Sequence, residues 1–152
     1  MDLKSLKQEL FQHCIHFVDQ RIENAKSALS AAQEAANSEE KSSAGDKYET
    51  GRAMAQLEQE KATQQLEEAS RLKSTLLKIN PEFSSSKASL GSVLLTDRTH
   101  FFIAISAGKM EVKGQSFFVV APHTPIGKTL IGLEKGSSFE FNNHLHRVIE
   151  IL

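Results

Sequence analysis

The 152-residue sequence contains no tryptophan, one tyrosine and one cysteine, and its three prolines all lie at or beyond position 81. A single cysteine, Cys14, cannot close an internal disulfide, so a reducing cytoplasm is the expected compartment. The longest apolar runs, 101–105 and 117–121, are five residues each. A helical membrane span needs about 20, so none is expected. Met1-Asp2-Leu3-Lys4 leads directly into a polar, periodic segment, without the apolar core of a secretion signal. Charge of one sign is also lacking. Net charge is −1, with 11 basic and 13 acidic residues before Pro81 and 7 basic and 6 acidic from Pro81 onward. Neither half offers the clustered Lys and Arg of a general grip on nucleic acid, so any contact with DNA is expected only through a larger complex.

Texture changes near residue 80. The first 80 residues have no proline and only two glycines, Gly45 and Gly51. Good helix formers (Ala, Glu, Gln, Lys and Leu) dominate there. From Pro81 onward come six glycines, seven phenylalanines and short β-branched runs. The organisation expected is a helical segment over 1–80, a Pro/Ser-rich joint over 81–87 and a small second domain over 88–152.

Val18, Ile22, Ala25, Leu29, Ala32 and Ala36 step by 4, 3, 4, 3, 4, which is a heptad seam. A second series runs Met54, Leu57, Ala62, Leu66, Ala69, Leu72, Leu76, Ile79, with one irregular step after Leu57. The two series mirror each other about a point near Ser43. Ala32 with Met54, Leu29 with Leu57, Ala25 with Ala62, Val18 with Ala69 and Phe11 with Leu76 each have numbers summing to 86 or 87. An antiparallel hairpin brings such pairs face to face, with arms of about 30 to 35 residues, or roughly 45 to 50 Å. Larger residues (Leu6, Leu10, Phe11, Phe17, Leu76) mark its base. Alanines (Ala28, Ala31, Ala32, Ala35, Ala36, Ala53) mark its tip, where small side chains permit close helix approach. Because each seam position has its partner within the chain, a monomer is expected. The competing reading is a coiled coil that pairs with another chain.

The second half reads as strands over 92–96, 100–106, 110–113, 116–120, 138–141 and 144–151. Asn142-Asn143 suits a tight hairpin turn, where Asn tolerates positive φ. Between strands, Thr124-Pro125-Ile126-Gly127-Lys128-Thr129-Leu130-Ile131-Gly132 places Thr at an N-cap, Pro at the first helical position and Gly at the end. The fold class expected is α+β, a helical hairpin followed by a small antiparallel sheet with one short helix.

The 124–132 segment resembles the Ser/Thr-Pro-Ile/Leu-Gly-x-x-Leu-Ile/Leu-Gly stretch of the Gre transcript-cleavage factors. Lys135-Gly136 and a terminal strand ending Val148-Ile149-Glu150-Ile151 follow it, as in that family, and Leu90-Gly91-Ser92-Val93 resembles the start of the same domain. Near the hairpin's mirror point, Gly45-Asp46-Lys47-Tyr48-Glu49 is similar to the family's Gly-Asp-x-x-Glu tip. The next residues, Thr50-Gly51-Arg52-Ala53, depart from its usual Asn-x-Glu-Tyr.

The resemblance implies an FKBP-like fold over 88–152, an acidic tip near 43–49 and a non-enzymatic elongation factor that binds RNA polymerase. The hairpin would enter the polymerase's secondary channel and stimulate cleavage of backtracked RNA at the nascent 3′ end. Asp46 would be the principal metal-contacting residue and Glu49 would aid the metal or orient water, with Mg²⁺ shared with the polymerase and no cofactor of the chain's own. Glu39 and Glu40 would add negative potential. The second domain would dock, with Thr124, Pro125, Ile126, Gly127 and Lys128 as partner-binding candidates.

Alternatives stand beside this reading. Asp46 and Glu49 have the spacing of a capping box opening the second helix. A related channel regulator would inhibit rather than stimulate. A prolyl isomerase is disfavoured because residues 80 to 152 contain neither Trp nor Tyr. A coiled-coil adaptor needs no polymerase. Cys14, between His13 and His16, lacks a catalytic pattern and reads as a buried seam residue. His144 and His146 share a strand face but lack a third metal ligand. Lys109, Lys113, Lys128 and Lys135 read as surface charges.

Overall fold

The computed structural model describes residues 2–41 and 45–152; the side chains of 39–49 lie outside that description. The chain is α+β. Two long helices, α1 (Leu3–Lys41) and α2 (Gly45–Leu77), precede strands β1 (Val93–Thr96), β2 (His100–Ile103), β3 (Gly108–Val112) and β4 (Gln115–Val120). A short helix α3 (Pro125–Leu130) and strands β5 (Ser138–Phe141) and β6 (His144–Ile151) complete it. Among the described residues no helix is long and apolar enough to cross a membrane.

Two compact units divide the chain, one a continuous stretch and the other joining the two ends of the chain. One comprises 17–73, the paired middle stretches of α1 and α2. Its buried residues are Val18, Ala25 and Ala32 on α1 and Ala55, Ala62 and Ala69 on α2. The pairs 32 with 55, 25 with 62 and 18 with 69 all sum to 87, so one small pair per heptad is fully enclosed. Ile22, Leu29 and Ala36 lie half-buried between them, as do Gln59, Leu66 and Lys73 on α2. Lys73 occupies a seam position and turns its ammonium out to hydrogen-bond Asp19, its stem covering apolar surface as long cationic side chains do.

The α2 seam corrects the sequence reading. Met54 and Leu57 are 63% and 64% exposed, and Ala55 is the enclosed residue. Counting back from Ala62 in heptad steps reaches Gln59 and Ala55, so the irregular step after Leu57 marked a false register. Ala28, Ala31, Ala35 and Ala53 likewise lie on exposed helix surface, since the seam takes only two positions in seven.

The other unit comprises 1–16 and 74–152. Asp2 caps α1, its Oδ1 accepting from the backbone N–H groups of Lys4 and Ser5 at 3.2 and 3.4 Å. Leu6, Leu10, Phe11, Cys14, Leu76 and Ile79 are buried in this unit. The sheet has the order β3-β4-β2-β1-β6-β5. It departs from the all-antiparallel expectation at one place, since β2 and β4 pair in parallel with Phe101 beside Phe118. That geometry follows from the β3–β4 hairpin, whose turn at Lys113 (φ 52°) and Gly114 (φ 75°) reverses the chain before β4 reaches β2. Asn142 and Asn143, at φ 52° and 63°, make the β5–β6 turn in the left-handed conformation expected for a tight hairpin. A register shift between Leu95 and Thr96 leaves Ile149 of β6 unmatched, and its side chain is exposed.

Strand alternation gives the sheet two apolar faces. One carries Leu94, Phe101, Ile103, Val120, Phe139, Val148 and Ile151, closed by Leu130 of α3 and by Ala88. On the other, Val93, Phe102, Val112, Phe117 and Val119 are buried. There the His100 ring lies 5.6 Å from Phe117, and its Nδ1 accepts from Thr96 N–H at 3.1 Å. Burial holds this imidazole below its ordinary pKa.

Candidate functional site

The backbone of α2 begins at Gly45, so Asp46 falls in its first turn and Glu49 opens the second. Residues three apart share a helix face, and acidic residues are favoured near a helix N-terminus by the backbone dipole. Their side chains, with those of Glu39 and Glu40, lie outside the described residues. Beyond them, α2 carries Gly51 inside the helix, where glycine costs about 1 kcal/mol relative to alanine.

The 124–132 segment has a local explanation, residue by residue. Thr124 is the N-cap of α3, its Oγ1 accepting from Gly127 N–H at 3.1 Å and donating to the Ala121 carbonyl at 2.7 Å. Pro125 enters the first turn, where no N–H is needed. Gly127 is required by space: a Cβ there would stand 2.0 Å from the Ala121 oxygen. Ile126 packs against the core. Gly132, at φ +87°, ends the helix and donates to the Ala88 carbonyl at 2.8 Å. Lys128 and Pro125 are exposed. Within the segment, then, Thr124, Gly127 and Gly132 build the fold, while the side chains of Pro125 and Lys128 lie exposed.

The remaining candidates resolve into structural roles. Cys14 is buried, and desolvation pushes its thiol up to about 12, which makes it inert as a nucleophile. His146 is buried against Phe139, Phe101 and Phe141, stacked on Phe139 at 5.1 Å. Its Nδ1 lies 3.0 Å from the His144 carbonyl, and its Nε2 has no hydrogen-bond partner among the described residues. His144 is exposed. Among the described residues no three His, Cys, Asp or Glu side chains gather as a metal site. Lys113 bonds to Ser5 and stands 3.9 Å from Glu9, and Lys135 pairs with Glu150 at 3.5 Å.

One residue that sequence reasoning passed over is Lys7. It is only 5% exposed, and its Nζ donates to the Phe83 carbonyl at 2.6 Å. The signal was present. Continued back from Val18, the seam passes Cys14 and Phe11 and arrives at position 7.

Compared with protein families, curated proteins and solved structures, the chain matches none.

Proposed function

We propose that this chain is a non-enzymatic accessory factor of a bacterial-type RNA polymerase, acting in a reducing cytoplasm. Its helical hairpin enters the secondary channel, and Asp46 and Glu49 act at the active centre on backtracked RNA. What supports this reading is the place of the acidic pair in the sequence, at the start of α2 and between two long helices that share one compact unit over 17–73. An α2 of 33 residues spans about 50 Å at 1.5 Å per residue. Its enclosed residues beside α1 are alanines, so the pair is thin as well as long. Such a shape suits a narrow channel.

The donor set fits Mg²⁺, which takes oxygen ligands and often only one or two protein carboxylates. When bound, the ion activates a water and stabilises the leaving oxygen. Asp46 would contact the ion and Glu49 would support it or orient the water, while the polymerase would supply the chemistry. The second domain docks on the polymerase, with Pro125 and Lys128 as the exposed members of its contact segment. DNA is met only through the complex. A second reading, a channel regulator that inhibits synthesis, is favoured by Thr50-Gly51-Arg52-Ala53 at the place where the cleavage factors carry Asn-x-Glu-Tyr.

Charge separates a catalytic tip from a helix cap. Asn caps about as well as Asp, and Gln replaces Glu in a capping box. The double variant Asp46→Asn, Glu49→Gln is expected to keep its helical signal and polymerase binding, and to lose at least about 100-fold in stimulated cleavage, within the range for losing metal-directed or acid–base groups. Full cleavage by a folded double variant leaves only the cap.

A further inference from the structure

Lys7 and the segment that follows α2 enclose a cavity of about 180 Å³, far above the roughly 10–15 Å³ that holds one water. Its lining includes Lys7, Lys78, Asn80, Ser85, Ser89 and Ser92, and no Asp or Glu. Within it, Lys7 and Ser92 are buried, while Lys78, Asn80 and Ser89 are exposed at its rim.

The donors are in excess. An ammonium has three protons to give, and among the described residues that of Lys7 gives one, to the Phe83 carbonyl. Among the described residues no carboxylate lies within 4.0 Å of its Nζ. Ser92 Oγ accepts from Ser89 N–H at 3.0 Å, which leaves its hydroxyl proton to donate. The Asn80 Oδ1 accepts from Glu82 N–H at 3.0 Å, leaving its amide hydrogens. A buried cation without a counter-charge is costly and is normally paired.

We propose that this cavity is a binding site for a tetrahedral oxyanion of the phosphate class, with the Lys7 ammonium as its central ligand and the Ser92 hydroxyl and Lys78 as further donors. The anion comes either free or as the phosphoryl group of a larger molecule. Desolvation lowers the Lys7 pKa, and a bound anion opposes that shift by favouring the charged form. The site involves none of the residues assigned to the polymerase, so its success or failure is independent of that reading.

The test is thermal unfolding of the full chain against inorganic phosphate, with ionic strength held constant by sodium chloride. A ligand that binds the folded state raises the melting temperature in a concentration-dependent way. Wild type is expected to show a rise that begins at low phosphate concentration. Lys7→Met should need about 10-fold more phosphate or greater for the same rise, since it loses charge-assisted hydrogen bonds. Ser85→Asp serves if Lys7→Met fails to fold. It places a carboxylate in the lining of the same cavity, and should melt higher than wild type without phosphate and respond no further to it. A parallel titration with a nucleoside 5′-monophosphate identifies the source: response at lower concentration than inorganic phosphate assigns a phosphate ester, and response only to phosphate assigns the free ion. No response in wild type beyond that to chloride, or an equal response in both variants, overturns the site.

Discussion

The two compact units solve the problem of burial with opposite materials. Among the described residues of 17–73 five of the six enclosed are alanines, one pair per heptad, with polar or half-buried residues between them. In the other unit Phe101, Phe102 and Phe117 are fully buried, and Phe101 alone meets Phe118, Phe139, Phe141 and His146 edge-on or tilted. An alanine buries little apolar area, so the helical pair gains little stability per residue from burial. What it gains is proximity, because helix separation is set by the side chains at the contact. The sheet unit gains cohesion, since large aromatic side chains carry most of a core's transfer energy. The comparison teaches that the hairpin is built to be slim and the sheet unit to be firm.

Substitutions can break or sharpen that contrast. Phe101→Ala should have the largest effect, about 3–5 kcal/mol by denaturant unfolding of the sheet unit, through lost transfer energy and a cavity. A loss under about 1 kcal/mol would mean that the aromatic cluster is not what holds this unit together. In the hairpin the damaging change runs the other way. Ala62→Leu should cost about 1–3 kcal/mol by overpacking, read as earlier loss of helical circular dichroism. If it were stabilising instead, the helices would not be closely apposed at Ala25 and Ala62. Smallest of all, Met54→Gln with Leu57→Gln should change stability by no more than about 0.5 kcal/mol, because both side chains already lie in solvent. A loss of several kcal/mol would restore them to the seam.

Much of this was legible in the residues. The bounds of β5 and β6 and the Asn142-Asn143 turn follow from alternation and turn chemistry, both local properties. So do the Thr124 cap, Pro125 at the first turn and Gly132 at the stop. The hairpin was legible from its mirrored spacing. Its register at the α2 start was not, because Met54 and Leu57 outweigh Ala55 on any hydrophobicity count while the close-packed seam selects for small volume. The parallel β2–β4 pair was also hidden, since which strands become neighbours depends on tertiary closure rather than on strand pattern. Lys7 escaped notice because a lysine near a helix start is ordinarily solvated, and its burial depends on the segment around Phe83, 76 residues away. Asp46 and Glu49 were read from their resemblance to a Gly-Asp-x-x-Glu pattern and from their place near the mirror point, and their side chains lie outside the described residues.

The proposed polymerase partner makes the decisive measurement simple. Purified RNA polymerase is stalled and backtracked on a template with a 3′-labelled transcript, and the protein is added with Mg²⁺. The account predicts release of short labelled 3′ fragments at a rate well above that of polymerase alone, followed by resumed elongation when nucleotides return. Transcripts that keep their full length, with the protein bound to the polymerase or without any binding, would contradict it.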